Sequence, residues 1–140
     1  MATPLSILID LNIILDVLQQ REPFYAASAG ILAAAERGQI RAYLDSHTLT
    51  TLFYLIAKDQ SPERAKTLIS DIMTFIQVAD VTQATIESAL ALPMTDFEDA
   101  VQLAAALQTQ AEYLVTRNIK DYPVTRLPIL RPAELLTLLG

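Results

Sequence analysis

A chain of 140 residues without cysteine excludes disulfides and thiolate metal sites, and this composition suits a reducing cytoplasm. Hydrophobic residues make up 52% and charged residues 19%, with no low-complexity tract or Gly/Ser linker, so a single domain over residues 1–140 is expected. The net charge of −6 argues against backbone-driven binding of nucleic acid, yet leaves room for a local site where a cation neutralises clustered acids.

No basic side chain precedes Asp10, and Asp10 and Asp16 interrupt the first apolar run, so neither a signal peptide nor a membrane span is expected. Within that run, Ser6 to Ile9 has the β-branched, apolar character of a strand buried on both faces. Ile13, Ile14, Val17 and Leu18 follow at helical spacing. Asp10 therefore has two readings. It caps the helix, or it stands at the carboxyl end of a parallel strand, where open α/β sheets place ligands.

Pro23 opens a second helical stretch, Phe24 to Glu36, with Gly38 placed where helices stop. Arg41 to Leu44 is a candidate strand. Asp45 or Ser46 then caps a helix running to about Lys58, with Leu49, Leu52, Phe53, Leu55 and Ile56 as its apolar stripe. Leu52, Phe53, Tyr54 and Leu55 are consecutive and cannot all face one core, so this helix is either buried on two sides or offers a partner face. Pro62 begins a further helix before the short strand Phe75 to Val78.

Thr82 to Leu92 is helical until Pro93 breaks it, and Asp96 starts the next helix, which turns Ala100, Val101, Leu103, Ala104 and Leu107 inward. Tyr113 to Thr116 is a strand, Pro128 to Leu130 an edge strand, and Pro132 opens a terminal helix over Ala133 to Leu139. Strands separated by helices imply a parallel sheet wrapped by helices, with the strand ends gathered on one rim.

Acids reach that rim at Asp10, at Asp96-Phe97-Glu98-Asp99 and at Asp121. Asp96 and its neighbours also suit a helix N-terminus, where a cap and first-turn acids are favoured. Asp96 and Asp99 share a helix face, while Glu98 points elsewhere. Carboxylates brought together without a basic partner call for a hard divalent cation such as Mg²⁺ or Mn²⁺, which orients attacking water and stabilises a leaving oxygen in phosphodiester hydrolysis.

The motifs Ile9-Asp10-Leu11-Asn12, Asp96-Phe97-Glu98-Asp99-Ala100 and Leu114 to Tyr122 (LVTRNIKDY), in this order and spacing, resemble the PIN-domain family. The resemblance covers essentially the whole chain. It implies a three-layer α/β/α domain with a central parallel sheet and a Mg²⁺- or Mn²⁺-dependent endoribonuclease. Among small single-domain members it points to VapC-like toxins of toxin–antitoxin pairs, with RNA as substrate, an antitoxin as partner and a homodimer as assembly. On this resemblance Asp10 and Asp99 are catalytic metal ligands and Asp121, or in its place the polar Asn118, is the last corner, with Thr116 bracing Asp10 and Asn12 ordering the loop.

One corner departs from the family pattern, in which the helix after the second strand usually carries a glutamate where this chain has Thr51. A threonine hydroxyl is a neutral, weak ligand, so Asp96 is the expected compensating acid. Arg117 and Lys120, beside Asp121, are the candidate contacts to RNA phosphate. His47, the sole histidine, suits a surface or capping position, and no serine or cysteine nucleophile pairs with it. With glycines only at 30, 38 and 140, phosphate-cradling loops for ATP or NAD are absent. A haloacid-dehalogenase reading would want an aspartate at position 12, where Asn12 stands. The other reading from a different class is a PIN-like module that has lost catalysis, because of Thr51, and binds RNA or protein.

Overall fold

The computed structural model describes residues 3–123 and 126–140. Five strands, β1 (Leu5–Ile9), β2 (Ile40–Asp45), β3 (Ile76–Ala79), β4 (Tyr113–Val115) and β5 (Ile129–Leu130), form one parallel sheet in the order β3-β2-β1-β4-β5. Among the described residues the seven helices are α1 (Leu11–Leu18), α2 (Tyr25–Glu36), α3 (Ser46–Asp59), α4 (Pro62–Ile72), α5 (Gln83–Ala91), α6 (Phe97–Thr109) and α7 (Pro132–Leu139), with a short 3-10 turn at Ile119–Asp121. The chain is thus a three-layer α/β/α fold, as the alternation of periods in the sequence implies.

The period of two along β1 builds the layers. Ile7 and Ile9 pack into the larger core with residues of α1, α2, α3, α4 and α7, whereas Leu8 enters a second core against Leu103, Ala105 and Ala106 of α6. All three strand residues are fully buried, which explains the continuous apolar run in place of an alternating one. α6 lies between the sheet and α5, which meets it at Ala89, Ala100, Val101 and Ala104. Alanine lets a helix buried on two sides sit close to both neighbours. Seven consecutive residues of α6, Ala100 to Ala106, are buried, and Gln102 is the one polar side chain among them.

On α3, Leu52 is buried, and Phe53 and Leu55 pack against the larger core. Tyr54 remains 60% exposed, with the Lys58 ammonium 5.9 Å from its ring centre. Packing against the larger core therefore accounts for three of the four consecutive large residues. Among the described residues no helix is long and apolar enough to cross a membrane.

Register positions the site. Ile9 pairs with Val115, so the residues that follow them, Asp10 and Thr116, leave the sheet side by side. The Asp10 amide completes the ladder by donating to the Val115 carbonyl at 3.0 Å.

Candidate metal-dependent active site

Asp10 occupies the N-cap position of α1, but its side chain makes no capping hydrogen bond. The carboxylate instead accepts from three side chains: Gln102 Nε2 at 3.3 Å on Oδ1, and Thr116 Oγ1 at 3.2 Å and Asn12 Nδ2 at 3.4 Å on Oδ2. Burial raises its pKa above the ordinary carboxylate range, and these hydrogen bonds oppose that rise. Of its two sequence readings, the strand-end position describes Asp10. Asp45 and Asp96, by contrast, do cap their helices, accepting from Thr48 N at 2.7 Å and Asp99 N at 3.0 Å.

The donors to Asp10 are themselves held. The Thr116 hydroxyl accepts from Asn118 N at 3.2 Å, which folds the loop after β4 against the strand end. Asn12 Oδ1 accepts from Arg21 Nη1 at 3.3 Å. Gln102 Nε2 also donates to the Tyr122 hydroxyl at 2.7 Å, and that hydroxyl donates to Asp99 Oδ1 at 3.5 Å. Burial first, and then the Asp10 and Asp99 charges, push the Tyr122 phenol well above its usual range, so it stays a donor. A continuous chain of contacts thus runs from Asp10 through Gln102 and Tyr122 to Asp99.

Asp99 is pushed up to about 6, by burial first and then by the charges of Asp96, Asp10 and Asp121. The other three acids singled out in the sequence therefore all act on Asp99. Among the described residues, however, no three acidic or imidazole side chains stand close enough to enclose an ion together, so the expected set is looser than a closed cage. Asp96 also spends one oxygen on its helix cap, and Asp121 is exposed on the 3-10 turn. Carboxylate, hydroxyl and amide oxygens nevertheless dominate the donor set, which is the chemistry of Mg²⁺ and Mn²⁺.

Asp10, Asn12 and Asp99 open onto a cleft of about 120 Å³ whose wall also includes Thr51, His47 and Glu98. His47 and Glu98 carried no site role in the sequence reading, yet they meet across this cleft, with His47 Nε2 3.9 Å from Glu98 Oε1. Gln102 and Tyr122 also escaped it. One signal for Gln102 was available: a lone amide in an otherwise apolar stripe, three residues after Asp99, shares the face of that acid.

Arg117 has an inward role. Its Nε lies 3.1 Å from Oδ2 of the fully buried Asp16, and its guanidinium stacks 3.9 Å from the centre of the Phe24 ring. Ser28 Oγ donates to the same carboxylate oxygen at 2.9 Å. The side chain of Arg117 is 19% exposed, so most of it is committed to α1 and α2, whereas Lys120 is exposed on the 3-10 turn.

Comparison with known proteins identifies the family and the fold. Residues 6–120 match the PIN domain family, and the chain belongs to that family. Among solved structures, a toxin–antitoxin complex from Klebsiella pneumoniae aligns with a TM-score of 0.70 at 23% identity, covering 91% of this chain and 98% of that one. VapBC2 from Rickettsia felis, bound to a DNA fragment from its promoter, aligns with a TM-score of 0.67 at 17% identity over 91% and 98% of the two chains. VapC20 of Mycobacterium tuberculosis, described as a toxin that cleaves the sarcin–ricin loop, gives 0.62 at 16% identity over 78% and 87%. No protein of curated function matches the chain in sequence.

Proposed function

We propose that this PIN-domain protein is a Mg²⁺- or Mn²⁺-dependent endoribonuclease and the toxin of a toxin–antitoxin pair, working in the cytoplasm as a homodimer. One observation carries the reading. Asp10 sits where a helix cap belongs, does not cap, and is held by three side-chain donors facing Asp99 across a cleft at the strand ends. The structural likeness to toxin–antitoxin proteins supports the toxin role and an antitoxin partner.

In this reading Asp10, Asp99 and Asp121 hold the cation, with Asp96 assisting. The ion supplies Lewis acidity toward water and the phosphodiester when bound. The rest belongs to the protein. Thr116, Asn12 and Gln102 fix the Asp10 carboxylate in one orientation, and Tyr122 ties Asp99 to the same network. In this reading Lys120 meets RNA phosphate, and its exposure beside Asp121 supports that role.

Calorimetric titration with Mn²⁺ at near-neutral pH and low salt tests this, comparing the wild type with an Asp10→Asn/Asp99→Asn double variant. Binding by the wild type that vanishes in the variant, together with RNA cleavage that follows the same pattern, is the expected result. A wild type that binds no Mn²⁺ at millimolar concentration overturns the nuclease reading. It would favour a non-catalytic RNA- or protein-binding module, to which the neutral Thr51 lends support.

A further inference from the structure

The wall of the cleft formed by α3 carries no acid at Thr51, and the three acids in the first turn of α6 divide their tasks. Asp96 caps the helix through Oδ1. Asp99 accepts from the Tyr122 hydroxyl on the side of Asp10. Glu98 is required for neither, and its carboxylate extends the other way, toward α3. Its one partner among the described residues is His47, at 3.9 Å, which is beyond hydrogen-bonding distance. His47 stands one turn before Thr51 on α3, and both residues line the cleft with Glu98 and Asp10. The glutamate therefore reaches from α6 toward the stretch of α3 where the acid is missing, with its side chain 71% exposed and His47 as its ion-pair contact.

We propose that Glu98 supplies, from α6, the metal-binding carboxylate that α3 lacks at Thr51. The inference rests on the nuclease reading above and replaces Asp96 with Glu98 as the compensating acid. Spatially this is a transfer of charge across the cleft. A family position on one helix is vacated, and the first turn of α6 offers to the same cleft a side chain one methylene longer than aspartate.

Mn²⁺ calorimetry on the full chain tests it with four proteins: wild type, Glu98→Gln, Thr51→Glu/Glu98→Gln, and Glu63→Gln as a control on the exposed first turn of α4. Glu98→Gln is expected to weaken Mn²⁺ binding about tenfold or more, with the control unchanged. The carboxylate placed at position 51 is expected to recover most of that loss. Two results overturn the proposal: Glu98→Gln binding as tightly as the wild type, or a double variant with native circular dichroism that stays as weak as Glu98→Gln. A wild type that binds no Mn²⁺ overturns the nuclease reading as well. Intact affinity in Glu98→Gln sinks this inference alone.

Discussion

Asp99 shows how a side chain can be wrong for stability and right for a site. Its pKa is pushed up to about 6, so between its ordinary value near 4 and that point the folded protein holds a proton that the unfolded chain has released. Stability contributed by this group therefore falls as pH rises through that window, and above it the clustered charges repel in full. In EDTA at pH 7.5, Asp99→Asn is expected to melt at a higher temperature than the wild type, and at pH 4 the two should converge. Calorimetric scans at both pH values check this, and a lower midpoint for the variant at pH 7.5 would contradict it. Asp10 is raised in the same direction by burial, and its three donors oppose that rise.

At the scale of elements, two helix N-termini build the cleft. α3 begins at a buried cap, Asp45, whose side chain accepts from Thr48 N at 2.7 Å, and this fixes the direction in which His47 and Thr51 project. Asp45→Ala is expected to cost about 1–2 kcal/mol, read as a lower urea midpoint with an unchanged slope. α6 begins at Asp96, and its alanines allow it to lie against the sheet so that Gln102 reaches Asp10 from the layer opposite α1. The helix and strand pattern was legible in the sequence because it rests on local periods and on Pro, Ser, Thr and Asp punctuation. Asp45 accepting from Thr48 N and Asp96 from Asp99 N are two such signals carried out. The side of α6 that Gln102 faces was less legible, since a glutamine in an apolar stripe reads equally as a solvated edge.

At the scale of the whole molecule, Asp16 joins segments far apart in sequence. Fully buried on α1, it accepts from Ser28 of α2 and pairs with Arg117 from the loop after β4, which in turn stacks on Phe24. Arg117→Ala leaves that buried carboxylate short of its nearest cation and is expected to destabilise the fold by about 3 kcal/mol, measured by urea denaturation. A loss under half that size would show that Arg21, 4.0 Å from Asp16, carries the pairing alone. The sequence by itself determined the alternation of strands and helices, the continuous burial of β1, and which acids lie near strand ends, because each follows from residues within a turn or two of one another. Tertiary structure alone decided that Asp10 would be held by Gln102, 92 positions away, that Arg117 would turn inward, and that Glu98 would face His47, whereas the Thr116 brace, 106 positions away, was an expectation of the family resemblance. Those choices depend on the register of β1 against β4 and on how α6 lies across the sheet, which local spacing does not encode.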